Sequence, residues 1–339
     1  MIKKSILFAA FLILHSISHA QWVMVWSDEF ESTTLDNSKW NFDIGGNGWG
    51  NNEAQYYTNS PTNFSIAAGE VTITAREEQF GTNAYTSSKI ISKGLFDVKF
   101  GKIEARIKCP MGKGLWPAFW MLGTNIDQVS WPACGEIDVM EHINNDTKIN
   151  GTAHWDNVGH VYMGGISTLD AAQYHIYAVE WTSTNIKWFA DGNLYYQLNI
   201  NNGINGTNEF QLPFYLILNL AVGGDWPGYP DATTVFPAEM KIDYVRVYKD
   251  QLEATLSENE LGNISVSPNP TSGKLTIVNS SESKLIAYKV FSLDGKLKQN
   301  ATLEINQKEI DLSTLENGVY FLKLMNELNQ EITHKIVIQ

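Results

Sequence analysis

The sequence predicts an all-β protein: a large sandwich or jelly roll, followed by a second, small β-sandwich domain at the C-terminus. Short segments alternate apolar and polar residues at period two, among them residues 102–107, 176–181 and 186–190. Asp191-Gly192-Asn193, between two such segments, is typical of a hairpin turn. The sequence has no long helical periodicity, so packed sheets are the expected architecture.

Length and charge narrow the class of protein. The chain has 339 residues, enough for two domains, and 24 Lys and Arg against 37 Asp and Glu give a net charge of −13. This charge argues against nucleic acid and anionic membranes as partners. A neutral polymer raises no such objection, and the 11 Trp, 14 Tyr and 15 Phe supply flat apolar surface.

The organisation along the chain predicts an exported protein. Lys3 and Lys4 precede an apolar run at 6–17 that ends in small residues, so residues 1–20 are expected to be a cleaved secretory signal. No other segment is long and apolar enough to enter a membrane. We predict domains at 21–249 and 262–339, joined by a polar linker at 250–261. We expect a monomer.

The two cysteines, Cys109 and Cys134, are predicted to remain unpaired. Segments 102–109 and 115–122 are expected to form a hairpin around Gly112, followed by the strand at 135–141. The cysteines would then lie at opposite ends of the hairpin, about 20 Å apart. Disulfides need Cα atoms within about 7 Å.

The most informative segment runs from Gly135 to Glu141 and places three acids in an apolar strand pattern. Glu136 and Asp138 share one face, and Glu141 is one residue out of phase. A single bulged residue at Val139 or Met140 would align all three. The two glutamate carboxyls could then approach to about 5–5.5 Å, the separation typical of a retaining glycosidase.

This acid segment resembles the catalytic signature of glycoside hydrolase family 16, in the form with one extra residue that is typical of laminarinases. Further segments resemble laminarinases in the expected order, at 48–57, 114–122, 223–228 and 242–248. The resemblance covers about residues 22–249. It implies a concanavalin A-like β-jelly roll whose concave sheet carries the substrate cleft.

The resemblance also implies roles for individual residues. Glu136 would be the nucleophile, Glu141 the general acid/base, and Asp138 a hydrogen-bonding group between them. His154 resembles a histidine that faces the acid/base from the neighbouring strand. The residues expected to bind sugar are Asn52, Glu53, Arg76, Trp116, Trp120, Trp131, His154 and Trp226. Lys89 stands near a position where relatives commonly carry Arg, and lysine cannot supply a bidentate fork.

No catalytic cofactor is expected, but relatives often hold a structural Ca²⁺ on the convex side. Asp243 matches an aspartate that binds this ion in the family, and Gly69 and Glu29 are candidate companions. Oxygen ligands suit Ca²⁺.

The C-terminal segments from about residue 262 resemble the sorting domain of the type IX secretion system. The resemblance implies that the type IX machinery is a partner and that the protein is secreted or held at the cell surface. This domain has no acid triad and few aromatic residues. An alternative function for it is carbohydrate binding, although the sequence has no row of exposed Trp or Tyr there.

The sequence as a whole predicts a secreted retaining endo-β-1,3-glucanase acting on laminarin-like β-glucan. The alternatives are another family 16 hydrolase of the licheninase, agarase, carrageenase or porphyranase type, a transglycosylase, and a non-catalytic lectin-like domain. The extra residue in the acid segment disfavours a transglycosylase. The intact spacing of the acids disfavours a lectin.

Overall fold

The computed structural model describes residues 22–250, 264–279, 284–293, 295–304, 309–327 and 331–339. The predicted signal at 1–20 lies outside these ranges, as does all of the predicted linker except Asp250. The chain divides into two compact units at Lys249. No helix in the described ranges is long and apolar enough to cross a membrane.

The first unit is built almost entirely of strands. A short helix α1 (Ile126–Val129) and an irregular 3-10 stretch (Asn201–Gln211) are its helical elements. The strands are β1 (Trp22–Asp28), β2 (Asn41–Phe42), β3 (Gln55–Tyr57), β4 (Phe64–Ala67), β5 (Glu70–Phe80), β6 (Asn83–Ser87), β7 (Lys89–Ile91), β8 (Gly101–Lys108), β9 (Leu115–Gly123), β10 (Glu136–Glu141), β11 (Lys148–Asp156), β12 (His160–Thr168), β13 (His175–Trp181), β14 (Asn185–Ala190), β15 (Asn193–Asn199), β16 (Phe214–Val222) and β17 (Ala238–Asp250).

These strands form two sheets that share one core. The ten-stranded sheet has the order β15-β14-β13-β8-β17-β5-β6-β3, with β1 beside β17 and β4 beside β5; the seven-stranded sheet has the order β12-β11-β10-β9-β16-β7-β2. Apolar side chains of both sheets meet in a single cluster, for example Ile103 and Val245 from one and Phe119 and Leu218 from the other. Their burial is the main stabilising contribution. The predicted jelly-roll sandwich is therefore confirmed.

Local turn chemistry matches the sequence pattern at the β14–β15 hairpin. Asp191 and Gly192 both have positive φ, at 49° and 75°, and Ala190 pairs with Asn193 across the turn. Positive φ at both central residues is what a tight two-residue turn requires, and Asp-Gly supplies it with little strain.

The prediction of a hairpin around Gly112 is wrong. Strand β8 belongs to the ten-stranded sheet and β9 to the seven-stranded sheet, so the connection crosses between the layers. Cys109 N donates to Ala171 O, and Gly112 N donates to Asn144 O, which ties this crossing to other loops. The expectation of unpaired cysteines nevertheless holds, because Cys109 and Cys134 are both buried free thiols.

The second unit is a small β domain with its own core. Its described strands are β18 (Ile264–Ser267), β19 (Lys274–Asn279), β20 (Leu285–Ser292), β21 (Leu297–Thr302), β22 (Glu309–Asp311), β23 (Gly318–Asn326) and β24 (Glu331–Ile338). They form a three-stranded sheet, β18-β19-β22, and a four-stranded sheet, β21-β20-β23-β24. Leu275, Val290 and Leu322 are among the residues that fill the core. The second β domain is thus confirmed.

Candidate active site

The acid row lies on β10, near the middle of the seven-stranded sheet, and contains the predicted bulge. Asp138 pairs with Trp120 on β9, whereas the next pair on that side is Met140 with Phe119, so one residue is extra. Ile137, Val139 and Met140 are all fully buried in the core. The bulge leaves Glu136, Asp138 and Glu141 together on the opposite face, as the sequence predicts.

Glu136 is held by one indole donor and one imidazole. Trp131 Nε1 donates to Glu136 Oε2 at 3.0 Å, and His154 Nε2 lies 3.8 Å from Glu136 Oε1. Burial and the neighbouring Asp138 raise the pKa of Glu136 to about 8, while His154 and the indole hydrogen bond oppose the rise. These two contacts favour the charged carboxylate that a nucleophile requires.

Asp138 is the most deeply buried acid of the row. Its exposure is 2%. His154 Nε2 lies 3.1 Å from Asp138 Oδ2, within ion-pair distance but too oblique for a regular hydrogen bond, so Oδ2 has no hydrogen-bond partner. Burial raises the pKa of Asp138 to about 8, and a hydrogen bond with Glu136 opposes the rise. In addition to burial, the charge of Asp138 raises the pKa of both Glu136 and Glu141, so the three acids do not ionise independently.

Glu141 occupies the other end of the row. Trp116 Nε1 donates to Glu141 Oε1 at 3.0 Å. Burial, followed by the charges of Asp138 and Glu136, raises the pKa of Glu141 well above its usual value. Three neighbouring buried carboxyls cannot all ionise together, and this raised pKa suits Glu141 to hold a proton.

Two tryptophans of β9 line the same face as the acids. Trp116 meets Trp226 edge to face, with ring centroids 5.4 Å apart. Trp120 Nε1 donates to Asn219 Oδ1 at 2.7 Å. Trp131 and Trp226 are 45% and 44% exposed. Exposed indoles beside the acids offer the flat apolar faces on which sugar rings stack.

Glu53 orients Trp120 through a chain of hydrogen bonds. Tyr57 Oη donates to Glu53 Oε2 at 3.2 Å, and Asn219 Nδ2 donates to Tyr57 Oη at 3.0 Å. Asn219 then accepts from Trp120. Gln55 Nε2 also donates to Glu53 at 2.6 Å, and burial raises the pKa of Glu53. Glu53 thus helps to hold the indole of Trp120 in place.

Asn52 ties together two loops at the same end of the sheet. Its Nδ2 lies 3.0 and 3.1 Å from the two carboxylate oxygens of Asp225. Its backbone carbonyl accepts a hydrogen bond from Tyr229 Oη at 3.0 Å. Asp225 N also donates to Asn51 O at 2.9 Å. These bonds hold the loop that carries Trp226.

Lys89 lies in the same region, at the start of β7. Its Nζ is 3.0 Å from Asp43 Oδ2, 4.1 Å from the centroid of Trp49 and 5.4 Å from that of Trp120. The ammonium is therefore nearly buried between two indoles, where an ordinary cation–π contact is favourable. It replaces the bidentate contact of an arginine with a point charge.

Arg76 is separated from the acid row. It lies on β5, in the other sheet, opposite Thr86. Its Nε is 3.5 Å from Glu78 Oε2, and the described residues place none of the three acids in contact with it. A role for Arg76 in sugar binding stays a prediction.

His154 does not face the residue that the sequence predicts. The register pairs Glu136 with His154 and Glu141 with Asn150, so the histidine contacts the Glu136 end of the row. Which acid lies opposite His154 is set by the antiparallel register of β10 against β11, which the resemblance did not specify. Sequence reasoning also missed Asn219 and His160, whose Nε2 lies 2.8 Å from His154 Nδ1. Asn219 lies on β16, which is distant in sequence from the acid row, and the contact of His160 depends on the register of the β11–β12 hairpin.

The side chains predicted for calcium are engaged elsewhere. Asp243 Oδ2 lies 2.7 Å from Arg106 Nη1, and Arg246 binds both carboxylate oxygens of Glu29, at 2.9 and 2.8 Å. Gly69 has φ +75°, and a Cβ built there would lie 3.8 Å from the carbonyl oxygen of Glu29. The carboxylates of Asp243 and Glu29 therefore do not converge to form a cation-binding site. Ligand atoms of Glu136, Asp138 and His154 also lie within 4.8 Å of one another, but there the imidazole is at ion-pair distance from both carboxylates.

Comparison with known proteins places the chain in a family. The model of glycosyl hydrolases family 16 matches residues 51–246, and that of the secretion system C-terminal sorting domain matches residues 265–339. A domain of this second kind directs export by the type IX system, so the protein is secreted or attached to the cell surface.

Individual relatives agree with the family match. The chain is 40% identical over 247 residues to a beta-glucanase of Rhodothermus marinus, covering 67% of this chain and 85% of that one. It is 39% identical over 307 residues to the clotting factor G alpha subunit of Tachypleus tridentatus, of which it spans 44%.

A solved structure agrees as well. The catalytic domain of an endo-1,3-beta-glucanase (laminarinase) from Thermotoga petrophila RKU-1 aligns with a TM-score of 0.65 and 43% identity, over 69% of this chain and all of that one. Together with the bulged acid row, these matches show that the chain belongs to the glycosyl hydrolases of family 16 and ends in a secretion-system sorting domain.

Proposed function

We propose that this glycoside hydrolase cleaves internal β-1,3-glucosidic bonds of laminarin-like glucans with retention of the anomeric configuration. The observation that carries the proposal is the bulged strand β10, which presents Glu136 and Glu141 on one face, each with its own indole donor. Two carboxyls with different surroundings are what a double displacement requires.

In this mechanism the two glutamates act in sequence. Glu136 attacks the anomeric carbon and forms a covalent glycosyl-enzyme while Glu141 gives its proton to the departing glycosidic oxygen. Glu141, now a carboxylate, then takes a proton from water, which attacks the same carbon and frees Glu136. Asp138 lies between the two glutamates, and burial, together with the charge and hydrogen bond of Asp138, raises the pKa of Glu136 before substrate binds. These residues supply the acid, base and nucleophile.

The cleft favours a neutral glucan over a sulfated galactan. The acids and the indoles dominate its described surface, and two nearby cations are already engaged: Lys89 pairs with Asp43, and Lys113 donates to the Pro227 carbonyl. A sulfated chain would meet the negative charge of the acid row without a compensating free cation. Licheninase-type and galactanase-type activities remain the alternative functions, together with glucan binding without catalysis.

The test is release of reducing ends from purified polysaccharides. We expect rapid release from laminarin, slower release from mixed-linkage β-glucan, and none from agarose, carrageenan or porphyran. Early products should be oligosaccharides of several lengths, because an endo enzyme cuts at internal bonds. Activity confined to a galactan would overturn the substrate assignment, and tight laminarin binding without any release would support a lectin.

We further propose that the domain borders lie at 21–249 and 262–339, and that the second domain serves export. The first unit has its own core and contains the whole acid row. A chain ending near Lys249 should therefore be monomeric and keep its full kcat and KM on laminarin. Activity per folded molecule that falls more than about threefold on truncation would make the second domain part of the enzyme.

Structural calcium stays a prediction. An ion on this face would have to use backbone carbonyls such as that of Glu29, since arginines already bind the two carboxylates. Calcium carries no step of the proposed reaction.

A further inference from the structure

A pair of histidines lies at the nucleophile end of the acid row. His154 on β11 is the inner one, and its ring touches the carboxyls of Glu136 and Asp138. His160, the first residue of β12, is the outer one and is exposed. The two ring nitrogens that face each other, His154 Nδ1 and His160 Nε2, are 2.8 Å apart.

The hairpin between the two strands holds His160 in this place. Asp156 pairs with His160 across the β11–β12 ladder, and Gly159 N donates to Asp156 Oδ1 at 2.8 Å. Around the pair, Trp131 lies 4.5 Å from the His160 ring, and Tyr162 stacks 5.7 Å from both imidazoles. The outer imidazole is therefore held by turn geometry and by the rings of Trp131, Tyr162 and His154.

The direction of the hydrogen bond follows from what each nitrogen of His154 faces. Its Nε2 faces carboxyl oxygens at 3.1 and 3.8 Å, so that nitrogen carries a proton. In the neutral ring Nδ1 then bears the lone pair and needs a donor. His160 Nε2 is placed to donate, and two charged imidazoles 2.8 Å apart would repel each other.

We propose that His160 is a positioning residue, which donates from Nε2 to His154 Nδ1 and thereby keeps the Nε2 proton of His154 on the side of the ring that faces Glu136 and Asp138. This inference rests on the proposed hydrolysis. It adds His160 as a residue that supports His154 beside the proposed nucleophile, Glu136. With its proton on that side, His154 Nε2 presents an N–H dipole 3.1 Å from Asp138 Oδ2 and 3.8 Å from Glu136 Oε1.

The first experiment is a double-mutant cycle in the full-length protein, measured as kcat/KM on laminarin. His160→Leu should lower kcat/KM about tenfold, and His160→Gln, whose amide can donate, should recover most of the loss. In a His154→Ala background, His160→Leu should have no further effect, because His160 acts through His154. Val158→Ala, at a fully exposed position of the same hairpin, is the matched control and should match wild type.

The second experiment is the pH profile of His160→Glu, which replaces the donor with an acceptor. A carboxylate at Nδ1 would draw a second proton onto His154, and the resulting positive charge would stabilise ionised Glu136 and Asp138. The acidic limb of kcat/KM should therefore move to lower pH, whereas His160→Gln should leave it in place. The titratable groups near the pair are Glu136, Asp138 and Glu141 of β10, Asp156 of β11 and Tyr162 of β12.

The outcomes separate this inference from the proposed function. A wild-type protein that releases no sugar from laminarin would refute the function itself. If the wild-type protein is active, two results would refute the role of His160 alone. His160→Leu could have no effect, or it could lower kcat/KM equally with and without His154. Identical pH profiles for His160→Glu and His160→Gln would also overturn it.

Discussion

Replacing Glu136 with Gln should lower kcat on laminarin by about 10³-fold or more, equivalent to ~4 kcal/mol of activation free energy. The amide is nearly the same size as the carboxylate and can still accept from Trp131 Nε1, so the surroundings of the site are kept. What is lost is the charged oxygen that attacks the anomeric carbon. The covalent intermediate therefore cannot form.

The measurements are steady-state release of reducing ends, glucan binding by calorimetry, and the thermal midpoint. Binding should stay within about threefold of wild type, because the sugar-stacking indoles are untouched. Glu77→Gln, at an exposed position of β5, is the control and should be fully active. Residual activity above a few per cent of wild type would show that Glu136 is not the nucleophile.

Replacing Glu141 with Ala should produce a different defect, one that depends on the leaving group. Hydrolysis of laminarin should fall by about 10³-fold, because the departing oxygen no longer receives a proton. An aryl β-glucoside with a good leaving group needs little protonation, so its first step should be largely spared. The second step should then become rate-limiting, because no base activates water.

Addition of azide distinguishes loss of the acid/base role of Glu141 from loss of the folded structure. As an anionic nucleophile it needs no base, so it should restore turnover of the aryl glucoside in Glu141→Ala and yield a β-glycosyl azide. The same addition should leave Glu136→Gln inactive, since that variant forms no intermediate. An α-glycosyl azide, or no rescue at all, would contradict the roles given to the two glutamates.

The sequence pattern predicted those structural features that depend on residues close together in the chain. The phase of Glu136, Asp138 and Glu141 required one bulged residue, because only a bulge buries Ile137, Val139 and Met140 together. The Asp191-Gly192 turn followed in the same way from backbone preferences. These features are encoded within a few positions of one another.

Features that depend on distant strands were not predictable in this way. A six-residue connection can close a hairpin or cross between sheets, and the alternating pattern of 102–122 is the same in both cases. The arginine partners of Asp243 and Glu29 lie 137 and 217 residues away in sequence. The contact between His154 and His160 is local in sequence, but it requires the register of the β11–β12 hairpin, which the spacing of the two residues does not give. Sequence periodicity fixes which face a residue occupies, but it does not identify the residue opposite.

The most direct test of the account follows the anomeric configuration of the first product of the wild-type protein. Laminarin oligosaccharides are mixed with enzyme, and the anomeric protons are observed by NMR before mutarotation. Two carboxyls that act as nucleophile and acid/base on one strand predict initial appearance of the β-anomer, with the α-anomer rising later. Initial appearance of the α-anomer would exclude the covalent intermediate on Glu136 and with it the proposed mechanism.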